Sequence, residues 1–455
     1  MRELWPADPL TGKVLHAPSP RDGRRYRRSQ FCYSFEVRGQ QYLFHTLTRQ
    51  CVKVNEGDLP ETSFVYDTAA SDDTLRALIA QRFLVPMDQD ENALYEGTIR
   101  VLRTLRQRGR LRTYTILPTT ACNARCVYCF EADMRVETMS SRTVEDTIAF
   151  ILQSHDPDRR IRLRWFGGEP LLAAGIIDRI CAALIANDVS FESGMITNGS
   201  LIDAAMAERM ANAWRMTSVQ LSMDCAEREY ILRKRYLVYH DEYNTVMAAV
   251  NLLTDRGIEV TVRCNVDEDN ITEMDTFIQD LVRMIPDKTL VSVYFQPLYE
   301  MRQLKSSDRV WAACTAVEQR IRDAGFTVKH GSRVRHLRIV SCMAESPYES
   351  VVISPDGTLY NCEHCPEANA LGTVREGVMD HMLQERLAEV EPTRESCLGC
   401  VFLPECMTFT GCPVRSAICK KHRRAWLDSA LLNEVTLAES GDASVTDQSG
   451  PLSQC

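Results

Sequence analysis

The sequence predicts an α/β fold built as a parallel barrel or partial barrel, because six strand-like runs alternate with amphipathic helical patterns. The runs are "TYTILP" at 113, "IRLRWF" at 161, "ESGMIT" at 192, "SVQLSM" at 218, "EVTVRCNV" at 259 and "LVSVYF" at 290. The helical patterns lie near 140–154, 171–187, 201–213, 243–256, 271–284 and 307–324. Such barrels bind their ligands at the C-terminal ends of the strands, so we expect the site there.

A small α+β domain precedes this barrel, and a cysteine-rich domain follows it. Residues 31–57 alternate as strands do, and "SDDTLRALIAQRFLVP" at 71–86 predicts a helix with a Ser/Asp cap. After residue 340 the segments become short and rich in Cys and Gly, and the final "AESGDASVTDQSGPLSQC" has the composition of a disordered tail. The predicted regions are 1–110, 111–330, 331–425 and 426–455, the last being a helix end and tail.

Composition excludes two classes of partner. The chain of 455 residues has a net charge of -9, which gives no overall attraction to nucleic acid or to an anionic membrane. No apolar run approaches the length of a membrane span, and the beginning, "MRELWPADPLTGK", lacks the layout of a signal peptide. We therefore expect a cytoplasmic protein.

The 18 cysteines favour metal binding, because a reducing compartment keeps thiols from forming a disulfide framework. Eleven of them fall into two groups: Cys122, Cys126 and Cys129, and then Cys342, Cys362, Cys365, Cys397, Cys400, Cys406, Cys412 and Cys419. The other seven are isolated and are interpreted as small buried apolar residues.

The first group has a Cys-x3-Cys-x2-Cys spacing directly after the first predicted strand. A structural zinc ion takes four protein ligands, whereas three thiolates leave one metal position open. An iron-sulfur cluster with one open iron is a site for chemistry, since an outside molecule can bind that iron. A zinc knuckle or a coincidence of three cysteines is the alternative.

The loop "CNARCVYCF" resembles the cluster-binding loop of the radical S-adenosylmethionine (SAM) enzymes, with Tyr128 in its aromatic position. The resemblance implies a partial (β/α)6 barrel, a 4Fe-4S cluster on Cys122, Cys126 and Cys129, and bound SAM.

Further segments match that family in the expected order. "RWFGGEP" resembles the GGE motif that holds the methionyl amino group, and "ITNGS", "QLSMD" and "VRCNVDEDN" resemble its later strand ends. The cofactor-facing residues that the resemblance implies are Gly167, Gly168, Glu169, Thr197, Asn198, Ser222, Arg235, Arg263 and Asn265, with Asp224 at the reaction chamber. For each polar residue singly, capping a strand end is the alternative role.

The second cysteine group resembles the SPASM extension, which holds two auxiliary 4Fe-4S clusters, so the resemblance implies three clusters in all. Cys342, Cys362 and Cys412 match the first auxiliary cluster, and Cys397, Cys400, Cys406 and Cys419 match the second. The chain departs from the pattern, because "CMTFTGC" is Cys-x5-Cys and no fourth ligand lies just upstream of Cys342. Cys365 fills that place, or the position is open to a substrate thiolate. A zinc ribbon is the alternative for this group.

The resemblance implies that the cluster donates an electron to SAM and that the resulting 5'-deoxyadenosyl radical abstracts a substrate hydrogen. An auxiliary cluster then accepts the electron of the substrate radical. Glu363, directly after Cys362, matches an acidic residue that takes the substrate proton in sulfatase maturases. A surface carboxylate, or one that only supports the cluster ligands, is the alternative.

Residues 31–95 resemble a degenerate leader-binding element of peptide maturases, with a dimerisation or capping domain as the alternative. The expected function is installation of a thioether or carbon-carbon cross-link in a ribosomally made peptide. Oxidation of Cys or Ser to formylglycine is the second enzymatic hypothesis, and an electron carrier or regulator is disfavoured because it needs no SAM pocket. The expected partners are a precursor peptide with its leader and an electron donor such as flavodoxin or ferredoxin.

Overall fold

The computed structural model describes residues 2–5, 11, 15, 20–21, 23–55, 58, 63–67, 73–106, 110–298, 308–328, 348–364, 367–388, 395–405 and 424–440. Cys342, Cys365, Cys406, Cys412 and Cys419 lie outside these ranges, as do Ser71 and Asp72 of the predicted helix cap and the tail from residue 441.

Two small antiparallel sheets form the N-terminal region. One has the order β1-β5-β4-β3, from β1 (Arg2–Trp5), β3 (Cys32–Val37), β4 (Gln40–His45) and β5 (Cys51–Val54). The other has the order β6-β2-β7, from β2 (Arg25–Arg28), β6 (Phe64–Val65) and β7 (Leu84–Pro86). Helix α1 (Asp73–Ala80) lies between β6 and β7 in the chain, and α2 (Glu91–Arg106) follows β7.

The predicted helix over 71–86 is too long at its C-terminal end. Residues 84–86 form β7, in which Val85 pairs with Arg27 of β2. Leu84 and Val85 are almost fully buried in this pairing. Burial in a sheet therefore overrides the helical pattern that the sequence shows for these residues.

Within the described residues the central sheet has eleven strands, and it confirms the predicted α/β fold. Its strands are β8 (Thr113–Ile116), β9 (Ile161–Trp165), β10 (Phe191–Thr197), β11 (Met216–Met223), β12 (Glu259–Val266), β13 (Val291–Pro297), β14 (Thr327–Val328), β15 (Ser350–Ile353), β16 (Thr358–Tyr360), β17 (Gly372–Thr373) and β18 (Gly377–Val378). Their order is β14-β13-β12-β11-β10-β9-β8-β15-β16-β17-β18, and β8 to β13 are the six strands that the sequence predicts.

All pairs from β14 through β15 in this order are parallel. β15 comes from the region that the sequence assigns to the cysteine-rich domain, yet it pairs in parallel with β8, Val352 lying opposite Thr115. The chain that leads to Cys362 is thus fixed directly beside the strand that leads to Cys122.

Helices cover one side of this sheet: α3 (Ser141–Ser154), α4 (Ala174–Ala186), α5 (Ala204–Asn212), α6 (Glu227–Lys234), α7 (Glu242–Thr254), α8 (Met274–Met284) and α9 (Asp308–Asp323). The sequence predicts six of them to within about three residues, the usual uncertainty of helix ends. The helical patterns of the sequence do not include α6, which follows β11 and contacts the loop of Cys122, Cys126 and Cys129.

The two faces of the barrel strands differ in polarity. In β13, Val291, Val293 and Phe295 are buried in the main core, whereas Ser292, Tyr294 and Gln296 are partly exposed on the inner side. The Tyr294 hydroxyl donates to Gln220 of β11 at 3.1 Å. An open pocket of about 410 Å³ enters this inner side and is lined by β9 to β12, with Arg164, Phe166, Ser218 and Gln220 among its residues.

The C-terminal part contains α10 (His381–Ala388) and α11 (Arg424–Ser440). The latter packs on the first N-terminal sheet through Leu427, Leu431 and Val435, and the Tyr33 hydroxyl of β3 donates to Asp428 at 2.5 Å. Residues 438–440, which the sequence assigns to the disordered tail, belong to this helix because its apolar face is buried on the sheet. No helix in the described ranges combines the length and the apolar character that a membrane span needs.

Candidate active site

The three clustered cysteines follow β8 in a loop at the C-terminal edge of the sheet. All three are partly buried, and burial raises the pKa of Cys122 to about 11. The negative charges of Glu169, Cys126 and Cys129 raise this pKa further. A bound metal centre would remove this mutual repulsion, because it stabilises thiolates.

The chemistry of these donors suits an iron-sulfur cluster. Thiolates are soft ligands, and each of three thiolates binds a different iron of a 4Fe-4S cluster, which leaves the fourth iron open. The donor set of this loop therefore fits an iron-sulfur cluster, with Cys122, Cys126 and Cys129 as its holders.

Backbone hydrogen bonds from the end of α6 hold the cysteine loop in place. The bonds are Arg125 N to Lys234 O at 3.1 Å, Arg125 N to Arg235 O at 3.0 Å, Val127 N to Arg233 O at 3.0 Å and Leu237 N to Asn123 O at 2.9 Å. Arg235 adopts a left-handed backbone with φ of 49°, which ends the helix and turns the chain along the loop. The shape of the cysteine loop is therefore set by a segment more than a hundred residues away in the sequence.

Gly167 and Gly168 pack against the chain that enters the cysteine loop. A Cβ atom on Gly168 would lie 2.4 Å from the carbonyl oxygens of both Thr120 and Ala121, and one on Gly167 would lie 2.4 Å from Thr119 O. Gly167 also has φ of 110°, a conformation that side chains rarely adopt. These glycines are needed for close contact between two stretches of backbone, in addition to any approach to a ligand.

Glu169 is fully buried and connects the ends of β9 and β10. Its carboxylate accepts hydrogen bonds from Leu171 N at 3.1 Å, Thr197 Oγ1 at 2.7 Å and Asn198 N at 2.9 Å. Burial raises the pKa of Glu169, while these donors oppose that shift. The amide of Asn198 in turn donates to Asn123 Oδ1 at 2.8 Å, so the network continues into the cysteine loop.

Asp224 is the centre of a second buried network at the end of β11. Tyr128 Oη donates to its Oδ2 at 2.5 Å, and Asn265 Nδ2 donates to its Oδ1 at 3.2 Å. Lys234 Nζ lies 3.8 Å from Asp224 Oδ2 and donates to Ser222 Oγ at 2.7 Å. The structure thus brings four predicted residues together, with Lys234 as a buried cation that the sequence analysis did not identify.

Arg235 is exposed, and its Nε donates to Leu232 O at 3.2 Å. The neighbouring cations, in contrast, point inward: Arg233 and Lys234 lie 5.7 Å and 5.8 Å from the centre of the Tyr128 ring. Arg233 also forms a buried two-bond ion pair with Asp267, at 3.1 and 2.8 Å. The structure therefore places the basic side chains of positions 233 and 234 in the site, and turns that of position 235 to solvent. Arg263 donates to Asn265 Oδ1 at 3.0 Å.

The segment after β16 contacts the cysteine loop. The His364 ring lies 4.3 Å from the ring of Phe130, which stacks on Phe166 at 6.1 Å. Burial raises the pKa of Glu131 to about 7, and the nearby carboxylate of Glu363 raises it as well. Glu363, the predicted base, therefore lies near a second acid, the partly buried Glu131, which directly follows the cysteine loop.

Several polar atoms here lack hydrogen-bond partners within the described part of the chain: Glu131 Oε1, Glu363 Oε2, Asn361 Nδ2 and Asn361 Oδ1. Asn361 and Glu363 are 1% and 9% exposed, so bulk water does not satisfy these atoms. An unpaired buried polar atom is costly, and such atoms are found where a ligand binds. The unpaired atoms belong to the segments around the cysteine loop and Cys362, so a molecule bound between these segments, in a region we call the chamber, would be able to pair with them.

Among the other cysteines, Cys362 is buried at the end of β16, and Cys397 and Cys400 are partly buried. Cys400 N donates to Cys397 O at 3.1 Å, and this turn packs against the N-terminal region, where Thr46 Oγ1 donates to Val401 O at 2.7 Å. The assignment of two auxiliary clusters stays a prediction, because five of its eight cysteines lie outside the described ranges.

The comparisons with known proteins agree with this geometry. Residues 116–281 match the model of the Radical SAM superfamily. A GTP 3',8-cyclase of Chlorobaculum tepidum is 33% identical over 122 residues, which cover 27% of this chain and 36% of the relative. A GTP 3',8-cyclase of Pseudomonas putida is 24% identical over 237 residues, covering 52% and 65%. The chain thus spans about a third to two thirds of the length of these curated relatives.

Two solved structures share the fold. The structure described as anSMEcpe with bound AdoMet has a TM-score of 0.57 at 16% identity, covering 72% of this chain and 99% of that one. Streptococcus suis SuiB bound to precursor peptide SuiA has a TM-score of 0.51 at 12% identity, covering 86% and 96%. Residues 116–281 thus match the Radical SAM superfamily in sequence, and the chain shares the overall fold of these two structures.

Proposed function

We propose that the protein is a radical SAM peptide maturase that installs a thioether or carbon-carbon cross-link in a ribosomally made peptide. The observation that carries the proposal is the contact between the cysteine loop and the segment after Cys362. The Phe130 and His364 rings meet at 4.3 Å, and Glu363 raises the pKa of Glu131. A substrate in this chamber would lie near both the first cluster and an auxiliary cluster on Cys362.

When bound, the cluster and SAM supply a 5'-deoxyadenosyl radical that abstracts a substrate hydrogen. Cys122, Cys126 and Cys129 hold that cluster. The networks around Glu169 and Asp224 fix the strand ends that face it, so that binding requires little rearrangement. The aromatic rings of Phe130 and Phe166 limit the access of water to the chamber.

Glu363 is proposed to take the proton that the substrate loses when its radical is oxidised and the new bond forms. Its Oε2 is buried without a partner within the described ranges, which leaves it available to accept that proton. The auxiliary ligands are proposed as Cys342, Cys362 and Cys412 with Cys365 or an open site, and as Cys397, Cys400, Cys406 and Cys419. These clusters would accept the electron.

The N-terminal region is proposed to bind the leader of the precursor peptide. β3 lies at the end of the order β1-β5-β4-β3, so no strand of the described residues pairs with its outer edge. A leader that adds a strand at such an edge binds through its backbone. The solved structure that pairs SuiB with the precursor peptide SuiA agrees with a peptide partner. Flavodoxin or ferredoxin is the proposed electron donor.

The test is incubation of the anaerobically reconstituted protein with SAM, dithionite and a peptide encoded beside its gene, followed by mass spectrometry. A product that has lost two hydrogen atoms and does not react with a hydrazide supports cross-linking. A hydrazide-reactive aldehyde supports the alternative, oxidation of Cys or Ser to formylglycine. The Glu363→Gln variant should lower product by roughly a hundredfold while 5'-deoxyadenosine formation persists. Product formation at the parent rate would remove Glu363 from the mechanism.

A further inference from the structure

Two buried thiols meet behind the network around Asp224. Cys225 directly follows Asp224 at the end of β11, and Cys264 lies in β12 directly before Asn265. Their sulfur atoms are 3.2 Å apart, and the backbone N–H of Cys225 donates to the sulfur of Cys264 at 3.1 Å. Both side chains are fully buried. The proposed reaction uses neither thiol.

The backbone at Cys225 has a conformation that favours glycine. Its φ is 66°, in the left-handed region, where a residue with a side chain is strained. The other non-glycine residues of the described ranges with such a φ are arginines and aspartates. A strained residue persists only where its surroundings favour it, and such residues cluster at functional positions. The thiol that contacts Cys264 is the feature that a glycine at this position would lack.

The contact between the two sulfur atoms needs little movement to become a covalent bond. A disulfide holds its sulfur atoms at about 2.05 Å, so the pair has to approach by roughly 1 Å. Met223 of β11 pairs with Cys264 in the parallel register, which keeps the two strand ends side by side. The charge of Cys225 raises the pKa of a third buried thiol, Cys314 of α9, which is therefore the competing partner.

We propose that Cys225 and Cys264 are a modification site, at which a small two-electron oxidant forms a reversible disulfide. Two S–H bonds break and one S–S bond forms, while two electrons and two protons pass to the oxidant. Hydrogen peroxide is an oxidant of this class, since its O–O bond breaks and two water molecules form. The inference is independent of the proposed function, because the disulfide forms without SAM or a peptide.

The disulfide closes a loop over residues 226–263, which contains α6 and α7. The end of α6 supports the cysteine loop through the backbone of Arg233, Lys234 and Arg235. A cross-link at the base of this segment restricts the unfolded chain and so raises stability. The oxidised protein therefore retains the support of the cysteine loop under conditions that damage an iron-sulfur cluster.

The experiment treats the reconstituted holoenzyme with hydrogen peroxide, with a chelator present to bind iron that damaged clusters release. Burial raises the pKa of Cys225, and the neighbouring Cys264 raises it further, so the thiols react slowly and the treatment lasts hours. The protein is then unfolded in N-ethylmaleimide, which blocks free thiols, and digested without reductant. Mass spectrometry should find the peptides of Cys225 and Cys264 joined in most molecules, lighter than their sum by two hydrogen atoms.

Two variants complete the design. Cys225→Gly removes the sulfur and leaves the backbone unstrained, because glycine adopts a positive φ freely, and it should form no joined peptide. Cys181→Ala alters an isolated buried cysteine of α4 and should form the joined peptide as the parent does. After peroxide, the parent and Cys181→Ala should unfold at a midpoint roughly 5 °C above that of Cys225→Gly. Dithiothreitol should abolish this advantage, because it reduces the disulfide.

Complete blocking of Cys225 and Cys264 by N-ethylmaleimide in the treated parent overturns the inference, since the same dose of peroxide oxidises glutathione in a parallel vessel. A peptide that joins Cys225 to Cys314, or a sulfinic acid on Cys225 in place of the disulfide, overturns it too. Equal midpoints of the treated parent and the treated Cys225→Gly contradict the stabilising role. These readouts do not include 5'-deoxyadenosine formation, so failure of the inference leaves the proposed function intact.

Discussion

The Tyr128 hydroxyl donates a 2.5 Å hydrogen bond to Oδ2 of Asp224, and this bond joins the cysteine loop to the end of β11. Asp224 is fully buried, so loss of this donor leaves its carboxylate with fewer partners in a medium of low polarity. Tyr128→Phe should lower the free energy of unfolding by about 1–3 kcal/mol, measured by urea titration. Tyr239→Phe, at a position 37% exposed, should change it by no more than about 0.5 kcal/mol. Equal effects of both changes would show that the bond adds nothing.

Gly168→Ala should damage the cysteine loop, because the new methyl group would lie 2.4 Å from two carbonyl oxygens. Overpacking of this kind costs about 1–3 kcal/mol or more, and the backbone that enters the loop has to move. We expect a lower iron content after reconstitution, measured by a colorimetric iron assay. Gly175→Ala, where no atom lies within 4 Å of the added Cβ, should bind iron as the parent does. Full iron loading in Gly168→Ala would contradict this view of the glycine pair.

Arg233→Met should be strongly destabilising, because it leaves Asp267 as an unpaired buried charge. Arg233 and Asp267 side chains are only 6% and 4% exposed, and removal of one partner from such a pair costs about 3–5 kcal/mol. The matched control is Arg283→Met, which removes an exposed arginine from its pair with Asp280 and should cost at most about 1 kcal/mol. Thermal unfolding of both variants measures the difference in their loss of stability. A small loss in both would contradict the view that the buried pair of Arg233 and Asp267 stabilises the fold.

The N-terminal region should lose stability in mild acid because of His45. Burial, with the charge of Arg82, lowers the pKa of His45 to about 3, while its ordinary value is 6.5. Below pH 6.5 the unfolded chain binds a proton at this residue that the folded chain does not bind. Stability therefore falls as the pH drops from about 6.5 towards 3, reaching a loss of about 2 kcal/mol by pH 5.

The variant His45→Asn isolates this effect. The Asn side chain keeps an acceptor for Thr48 N, which donates to His45 Nδ1 at 3.1 Å, and it does not titrate. The parent should therefore lose about 2 kcal/mol of unfolding free energy relative to the variant by pH 5, because the contributions of all other groups are shared by both proteins and cancel. A difference that is constant from pH 7.5 to 5 would contradict the assignment.

The sequence predicts the barrel well because its signal is local. Six strand and helix units have clear periods, and β8 to β13 follow one another in the sheet in chain order. The position of β15 beside β8 is not predictable in this way, because four residues, Ser350–Ile353, carry no sign of the strand with which they pair. The packing of α11 on the first N-terminal sheet is not predictable either, because it joins opposite ends of the chain.

In the candidate site, too, the sequence predicts local features but not the contacts between distant segments. The motifs place Tyr128, Glu169 and Asp224 just after predicted strands. In the structure these residues belong to two hydrogen-bond networks, one around Glu169 and one around Asp224, and each network includes a residue of the cysteine loop. The sequence does not show whether Lys234 or Arg235 enters the site, because both are basic and the residue at which the helix ends is not visible in the sequence. The left-handed backbone at Arg235 decides which side chain enters the site. Glu131 is missed because its proximity to Glu363 depends on the contact between distant segments.

The most direct test of the account is formation of 5'-deoxyadenosine from SAM by the anaerobically reconstituted protein with dithionite. The parent should form it, and Cys126→Ala should form none, because three thiolates are needed to hold a cluster that leaves one iron open. Cys181→Ala, which alters an isolated buried cysteine of α4, should keep the activity. Formation of 5'-deoxyadenosine by Cys126→Ala at the rate of Cys181→Ala would contradict the central claim that this loop holds the catalytic cluster.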